Sequence, residues 1–204
     1  MVEDDTGVVD VAYGLAGGAL PRDYRFALKR ELSRRLPWLE SEPLAGIHPL
    51  RGALTDYGVV LLPRRARLVL RLPQSRVDDA LALEGETLDV AGARLAVGRA
   101  SLRPLEAYGA LYADCVVFDC ASEKAFLAAV TSRLDALGTR CDCVCGRARS
   151  FGAGEREVAG FALLLHRLDA DHSLRLQRTG IGGERTMGCG IFVRHRLATP
   201  VGAV

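Results

Sequence analysis

Apolar residues recur at every second position from Val9 to Tyr13, which is the period of a β-strand, and Gly17-Gly18 interrupts the pattern. After Pro21, which suits a first helical turn, the period changes to four, as on one face of a helix. The apolar positions of this predicted helix are Tyr24, Leu28, Leu32 and Leu36. Residues 40–56 show no period and are rich in proline and glycine, so they are expected to form an irregular surface connection.

Alternation returns at residues 58–62 and 67–72, which flank a turn at residues 63–65 and predict a β-hairpin. The leucines of its second strand share one face, so Arg67 and Arg71 are expected to point the other way. A helix from about Ser75 and a strand near residues 88–97 follow. The first half of the chain therefore has the order βαββαβ.

The second half repeats this order, and its helices begin at similar intervals. The pattern predicts a strand over 111–118, a helix over 122–137, strands over 141–149 and 157–168, a short helix over 171–179 and a strand over 191–197. The sequence thus predicts an α+β fold of two tandem ferredoxin-like (βαββαβ, RRM-like) domains, residues 1–106 and 107–204, with a glycine-rich loop near the C-terminus.

Composition places the chain among globular proteins. Of its 204 residues, 49% are hydrophobic and 25% are charged, which excludes a disordered, collagen-like or coiled-coil chain. The sequence lacks an apolar run long enough to span a bilayer, and its first residues are acidic, unlike a secretory signal. We therefore expect a cytoplasmic protein without a membrane partner.

The positive charge is carried almost entirely by arginine, because Lys29 and Lys124 are the only two lysines among 27 basic residues. One interpretation is codon bias in a GC-rich genome. The other is selection of the planar guanidinium, which grips phosphate through two hydrogen bonds where lysine cannot. The composition leaves both interpretations open.

Cysteines occur only in the second half, and three of them alternate at Cys141, Cys143 and Cys145. Zinc sites favour pairs separated by two residues, whereas alternating residues of a strand share one face. We expect these thiols to be reduced and to act as small apolar residues. A metal or redox protein built on them is the alternative, and no metal or other cofactor is expected.

The segment with residues 180–190, here called the glycine-rich segment, has glycine at five of its eleven positions. Glycine lets a backbone approach a ligand closely, and backbone amides can donate to phosphate oxygens. The motifs of nucleotide-binding loops do not fit the segment, because its second glycine is not followed by lysine and the frame from Gly180 ends on Arg185. A structural turn between a helix and a strand is the alternative.

Gly180-Ile-Gly182, a spacer with Arg185, and Gly188-Cys-Gly190 before a last strand resemble the glycine-rich signature of the CRISPR repeat-processing endoribonucleases of the RAMP superfamily. Four flanking segments are similar to the MYXAN subtype of that family, namely residues 36–39, 45–48, 174–178 and 190–195. The similarity extends from about Asp10 to His195.

The resemblance implies metal-independent cleavage of CRISPR repeat RNA within a precursor transcript, to give guide RNAs. The 2′-hydroxyl beside the scissile bond would attack the phosphate and leave a 2′,3′-cyclic phosphate. The implied partners are the repeat RNA, the mature crRNA and the subunits of a Cascade-type effector complex. A binding module of the same fold, which holds the repeat without cutting it, is the alternative.

The resemblance places the catalytic histidine at His48, since the family carries its histidine after the first helix. Imidazole suits proton transfer because it titrates near neutral pH. His166, His172 and His195 lie in predicted regular structure and are not favoured.

Some relatives add a tyrosine from the first helix and a lysine soon after the histidine. Tyr24 matches the former, although it also fits the apolar row of that helix, and Arg51 stands near the latter position. A guanidinium stays charged, so Arg51 could stabilise the phosphorane but not move a proton.

RNA binding is assigned to the residues of the glycine-rich segment and the helix before it. These are Arg175, Arg178, Gly180, Gly182, Gly183, Arg185, Gly188 and Gly190. Further arginines on predicted hairpins are Arg64, Arg65, Arg147 and Arg149.

Overall fold

The computed structural model describes residues 7–120 and 122–195. The first half contains the strands β1 Val8–Ala16, β2 Ala19–Pro21, β3 Gly46–Ile47, β4 Ala53–Leu54, β5 Val59–Leu61, β6 Arg67–Pro73, β7 Thr87–Val90 and β8 Ala93–Pro104, with helices α1 Tyr24–Arg35 and α2 Val77–Leu81. The second half contains the strands β9 Ala110–Val116, β10 Asp142–Ala153, β11 Arg156–His166 and β12 Val193–Arg194, with helices α3 Glu123–Ala136 and α4 Ala170–Thr179.

The strands form two main sheets, one in each half, and a small third sheet. The first main sheet has the order β3-β6-β1-β8-β7, the second has β10-β11-β9-β12, and the small sheet has β2-β5-β4. All the strand pairs are antiparallel. In both main sheets the first strand of the half lies between strands that come later in the chain, and the predicted α+β class is confirmed.

Each half has its own hydrophobic core between its sheet and its helices. The apolar row of α1 packs with the inner leucines of β6, and α3 packs through Phe126 and Val130 against β9 and β11. The predicted cap of α3 is confirmed, because the Ser122 hydroxyl accepts a hydrogen bond from the Ala125 amide at 3.2 Å. Gly138, at φ +61°, follows the helix as predicted.

Three sequence predictions in the first half are wrong. Strand β5 does not pair with β6, since it is the middle strand of the small sheet between β2 and β4. Pro21 belongs to β2, and α1 begins at Tyr24. The predicted strand over 88–97 is a hairpin of β7 and β8, whose turn at Ala91-Gly92 has positive φ at both residues.

Other boundaries differ in ways that affect the site. The predicted irregular connection over 40–56 contains β3, an edge strand that pairs with β6. Ser75 lies in a short 3-10 turn before α2. The turn between β10 and β11 is at Gly154-Glu155, so β10 extends four residues beyond its predicted end, whereas β11 ends at His166, two residues before its predicted end. The last predicted strand is reduced to β12, and residues 196–197 lie outside the described residues.

The alternating cysteines occupy the strand environment predicted for them. Cys143 and Cys145 share one face of β10, and Cys141 comes just before the strand. All three are half-buried against the second core, and burial raises the pKa of Cys141 to about 11. A protonated thiol is a poor metal ligand, so this environment favours the packing interpretation over the metal site.

Among the described residues, no helix combines the length and the apolar character that a bilayer crossing requires.

Candidate active site

His48 comes directly after β3 and sits against the middle of the first sheet. Its backbone amide donates to the Val69 carbonyl of β6 at 2.9 Å, which extends the edge pairing by one residue. Its ring lies beside Asp10 of β1, with 3.3 Å between Nε2 and Oδ1. The side chain is 13% exposed, so the ring is held by the protein but still reaches the surface.

Asp10 is bound by a second partner, Arg71 of β6, directly across the strand pair. The guanidinium donates to both carboxylate oxygens, from Nε to Oδ1 at 2.7 Å and from Nη2 to Oδ2 at 3.0 Å. Its third nitrogen, Nη1, donates to the carbonyls of Gln177 at 3.0 Å and Phe192 at 2.7 Å, in the second half. Arg71 therefore joins the two halves immediately behind His48.

Sequence reasoning missed Asp10 and expected Arg71 on an open face. Arg71 is instead 1% exposed, because the second half covers that face of the first sheet. The sequence did contain a signal for this contact, since Asp10 and Arg71 are opposite charges at polar positions of two predicted strands. Alternation does not say which strands pair, so the signal did not identify the contact.

The electrostatic environment fixes the charge of both groups. Burial opposes ionisation of Asp10, but its bonds to His48 and Arg71 outweigh that effect and hold the pKa of the carboxyl well below its usual range. For His48, burial lowers the pKa below its ordinary value of 6.5, with contributions from the charges of Arg71 and Arg185, while Asp10 opposes the shift. His48 is therefore neutral at pH 7 beside an ionised carboxylate.

The His48 side chain lines a cleft of about 760 Å³ between the two halves, here called the histidine cleft. Its second-half wall includes Tyr112, Ile191 and Val193. The charged residues that line it are Asp10, Arg25, Arg51, Arg65, Arg67, Arg103 and Asp114. Both aspartates are held by arginines, Asp10 by Arg71 and Asp114 by Arg25 and Arg149.

Four arginines of the histidine cleft form no ion pair within the described part of the chain. They are Arg51, Arg65, Arg67 and Arg103. An open groove with uncompensated guanidinium groups attracts a polyanion. Arg51, predicted near the catalytic histidine, is exposed on the wall of this cleft.

A second cleft of about 660 Å³ continues from the first and shares Arg25, Leu50, Gly52 and Asp114 with it. It runs between the start of α1 and the β10–β11 hairpin. Arg22, Arg147 and Arg149 add further positive charge along its length. The two clefts together form a continuous basic surface on which His48 occupies one wall.

Tyr24, the predicted catalytic tyrosine, is 5% exposed and packs in the first core. Its hydroxyl donates to the Leu50 carbonyl at 3.2 Å and accepts from the Leu50 amide at 2.8 Å. Burial raises the pKa of the phenol. The hydroxyl thus anchors the segment that carries His48, and it would have to leave Leu50 to reach a substrate.

The glycine-rich segment packs against the residues around His48. Gly188 has a φ of +77°, and a Cβ added there would lie 3.2 Å from the Ile47 carbonyl oxygen and 3.1 Å from Cγ of Pro49. Gly180, Gly182 and Gly190 also have positive φ and lie against backbone atoms. These glycines allow the close approach of the segment to β9 and to the His48 loop.

Most of the glycine amides predicted to bind RNA already donate within the protein. Gly183 donates to Val117 at 3.2 Å, Gly188 to Arg185 at 3.0 Å and Gly190 to Cys115 at 2.8 Å. The amide of Gly180 donates to Leu176 at 2.9 Å at the end of α4. This arrangement favours the structural turn over a cradle of free amides.

The arginines assigned to RNA have different surroundings. Arg185 is half-buried and donates to the carbonyls of Leu44, Ala45 and Arg178, so it joins the glycine-rich segment to the His48 loop. Burial and the charge of Arg71 lower the pKa of Arg185 to about 10. Arg175 donates to Leu137 at the end of α3, and neither Arg175 nor Arg178 lines the two clefts.

The other histidines lie outside both clefts. His166 ends β11 near Asp142, and His172 in α4 is bound by the helix cap Asp169 through Nδ1 at 2.6 Å. His195 packs its ring against Tyr112 with 5.9 Å between ring centroids. The geometry therefore separates His48 from the other three.

The sequence of this chain is similar to those of known proteins. A family model described as Cas6 Crispr matches residues 9–197. The CRISPR-associated endonuclease Cas6 of Myxococcus xanthus (strain DK1622) is 40% identical over 186 residues, covering 91% of this chain and 80% of that protein.

Solved structures of low sequence identity share the fold. A protein described as the product of a Cas6-related gene from Pyrococcus furiosus has a TM-score of 0.69 at 10% identity, covering 92% of this chain and 98% of its own. Thermus thermophilus Cse3, bound to an RNA representing a pre-cleavage complex, has a TM-score of 0.51 at 17% identity, with coverage of 92% and 98%. The resemblance inferred from the glycine-rich signature is confirmed, and the chain belongs to the Cas6 family of CRISPR-associated proteins.

Proposed function

We propose that the chain is a metal-independent endoribonuclease that cleaves CRISPR repeat RNA in a precursor transcript and releases guide RNAs. The observation that carries this proposal is the exposed edge of the His48 ring on the wall of an arginine-lined cleft between the two halves. The 40% identical relative, named a CRISPR-associated endonuclease, supports the same activity.

The proposed chemistry is an internal transesterification. The 2′-hydroxyl gives its proton to His48, the 2′-oxygen bonds to phosphorus, and the bond from phosphorus to the 5′-oxygen breaks. The leaving 5′-oxygen takes a proton from water in the open cleft, and the products are a 2′,3′-cyclic phosphate and a 5′-hydroxyl. Arg51 lies on the same cleft as His48 and stabilises the charge on the phosphorane.

The RNA is proposed to lie along the two connected clefts. Four arginines of the histidine cleft without carboxylate partners among the described residues, and Arg22 and Arg147 of the second cleft, supply phosphate contacts. The glycine-rich segment is proposed to act mainly by supporting the His48 loop, through Gly188 against Ile47 and Pro49 and through Arg185, rather than by contacting the RNA. The crRNA product stays bound and is passed to the subunits of a Cascade-type effector complex.

The two halves are proposed to be ferredoxin-like domains, residues 1–106 and 107–204. The support is the strand order, in which β1 lies between β6 and β8, and β9 lies between β11 and β12, each within an antiparallel sheet. With this boundary, His48 lies on the first domain and the glycine-rich segment on the second. The histidine cleft and the support of the His48 loop then require both domains.

The test is incubation of end-labelled cognate repeat RNA with purified protein in EDTA, followed by mass spectrometry of the product ends. We expect cleavage with a 2′,3′-cyclic phosphate, and a loss of about 100- to 10,000-fold in His48→Ala with RNA affinity retained. His166→Ala, at the far end of β11, is the matched control and should cleave normally.

The possible negative results of this test point to different errors in the proposal. Full activity in His48→Ala would overturn the catalytic assignment, and a requirement for a divalent ion would overturn the mechanism. Tight binding of intact repeat without any cleavage would identify the non-cleaving binding module.

A further inference from the structure

The juxtaposition of Asp10, Arg71 and His48 carries a further inference, which rests on the proposed function. We propose that Asp10, clamped by Arg71, is a positioning residue that keeps the His48 proton on Nε2 and leaves Nδ1 bare as the base for the 2′-hydroxyl. Asp10 does not touch the substrate in this proposal and acts only through the imidazole.

The carboxylate is fixed more firmly than an ordinary surface pair. Arg71 binds both of its oxygens, at 2.7 and 3.0 Å, and the same guanidinium is tied to two carbonyls of the second half. A bidentate guanidinium–carboxylate pair has a fixed plane, so Oδ1 cannot rotate away from the ring. The side chain of Arg71 is 2% exposed and that of Asp10 is 16% exposed, so the guanidinium side of the clamp is shielded from water.

The hydrogen-bond chemistry assigns the tautomer. An ionised carboxylate only accepts hydrogen bonds, so the ring nitrogen beside Oδ1, which is Nε2, carries the hydrogen. In a neutral imidazole the other nitrogen is then the acceptor. None of the described residues hydrogen-bonds to Nδ1, and it is not among the buried polar atoms that lack a partner.

The charged groups around the ring come from several elements. Asp10 of β1, Arg71 of β6 and Arg185 of the glycine-rich segment act on it directly. The other titratable or charged residues of the same cleft are Arg25, Arg51, Arg65, Arg67, Arg103, Tyr112 and Asp114. Asp10 is the group that favours the protonated ring, and Arg71 and Arg185 disfavour it.

In the proposed step the proton of the 2′-hydroxyl moves to Nδ1 as the 2′-oxygen bonds to phosphorus and the bond to the 5′-oxygen breaks. The imidazolium that forms donates from Nε2 to Asp10, which stabilises the new positive charge. The network thus serves both the orientation of the base and the charge that develops on it.

The matched variants are Asp10→Asn and Asp169→Asn. Asparagine keeps the shape of Asp10 and an oxygen for Arg71, but its amide can donate to Nε2 and move the ring proton to Nδ1. Asp169 forms another close Asp–His contact, with His172 at the start of α4 and outside both clefts, and asparagine caps a helix equally well. We expect the cleavage rate to fall about 10- to 100-fold in Asp10→Asn and to be unchanged in Asp169→Asn.

The pH profile distinguishes positioning from simple stabilisation. A base must be neutral, so kcat/KM of the wild type should fall only below the lowered pKa of His48 and stay level from pH 7 to 8. Loss of the carboxylate removes the attraction that favours the imidazolium, so the acid limb should move to lower pH in Asp10→Asn. Asp10→Glu should restore part of the rate. If the substitution only destabilised the fold, a smaller fraction of the protein would be active, but the pH at which kcat/KM falls on the acid side would not change.

The tautomer is measured directly in the wild type by long-range 1H–15N correlation of the histidine side chains, assigned with His48→Ala. We expect Nε2–H for His48, whereas His172, bound through Nδ1, should show Nδ1–H and serves as the internal reference. Nδ1–H at His48, or an unchanged rate and acid limb in folded Asp10→Asn, would overturn the positioning role. Full cleavage by His48→Ala would instead overturn the proposed function itself.

Discussion

The hydroxyl of Tyr24 is bonded to the backbone of Leu50 as both donor and acceptor. Leu50 is two residues beyond His48, so this contact restrains the loop that carries His48, the proposed base. Helical periodicity indicated that Tyr24 belongs to the apolar row of α1, and the structure agrees. The partner of its hydroxyl lies 26 residues away in the chain, beyond the range of such a pattern.

Tyr24→Phe removes this anchor and leaves the ring in the core. Two hydrogen bonds are lost and a buried amide is left without its acceptor, so we expect the free energy of unfolding to fall by about 1–2 kcal/mol. Cleavage should slow about tenfold, because His48 is held less firmly. The shape of the pH–rate profile should not change, because no group that carries a proton in the reaction is removed. Urea unfolding and single-turnover cleavage from pH 6 to 9 measure both effects.

Tyr57→Phe is the control, since Tyr57 is 94% exposed and its substitution should leave stability unchanged. If folded Tyr24→Phe loses as much activity as His48→Ala, Tyr24 carries a proton in the reaction and the anchoring interpretation is wrong.

The glycine-rich segment acts as a packing element between β9 and the His48 loop. The sequence identified it through its glycines and offered two interpretations, a phosphate cradle and a structural turn. Its internal hydrogen bonds and close backbone approaches favour the turn. A phosphate cradle and a structural turn require the same glycines, because the absence of a Cβ permits the close approach of either a ligand or a neighbouring strand. The sequence alone therefore does not distinguish the two interpretations.

Gly190→Ala and Gly183→Ala form a matched pair within the segment. A Cβ at Gly190 would meet the Ile181 carbonyl oxygen at 2.3 Å on a backbone with φ +63°, whereas Gly183 faces open space. We expect Gly190→Ala to lower the free energy of unfolding by about 2–4 kcal/mol and Gly183→Ala to change it by less than about 0.5 kcal/mol. Denaturant unfolding gives both values. Loss of RNA affinity in stably folded Gly183→Ala would show that the segment touches the RNA directly.

The two halves of the molecule create the histidine cleft by meeting. Arg71 reaches two carbonyls of the second half, Arg185 reaches back to the first, and Arg25 of α1 pairs with Asp114 of β9. The aspartates of the cleft are neutralised, Asp10 by Arg71 and Asp114 by Arg25 and Arg149, which leaves a surplus of guanidinium groups facing solvent. Under the proposed function, this surplus gives the arginine-rich composition a specific use at this surface, whatever its genomic origin.

Phosphate contacts by these arginines predict a steep salt dependence of binding to repeat RNA. Arg65→Gln and Arg67→Gln should each weaken binding and flatten the slope of log K against log salt by about 0.7, as one contact with a single strand is lost. Arg133→Gln, on the exposed face of α3, should leave the slope unchanged. Fluorescence anisotropy over a salt series measures these slopes, and a flat wild-type profile would contradict RNA binding along the cleft.

Local patterns were sufficient for much of the fold and for one residue of the site. Alternation and four-residue spacing predicted β1, α1, α3 and the inner leucines of β6, because burial imposes these periods on the chain itself. Family resemblance gave His48 its proposed role. The hairpin of β5 with β6 failed because nearness in sequence does not choose a strand's partner.

The partners of His48 depend on long-range contacts. Asp10 and Arg71 are 61 residues apart and meet only because β1 pairs with β6, and Arg71 is buried only because residues 177 and 192 of the second half dock over it. A periodic sequence records which side of an element is buried, since that is a property of each residue and its near neighbours. Which groups meet across that buried face is set by the packing of distant elements, and this packing determines the charge around His48 and the tautomer proposed for it.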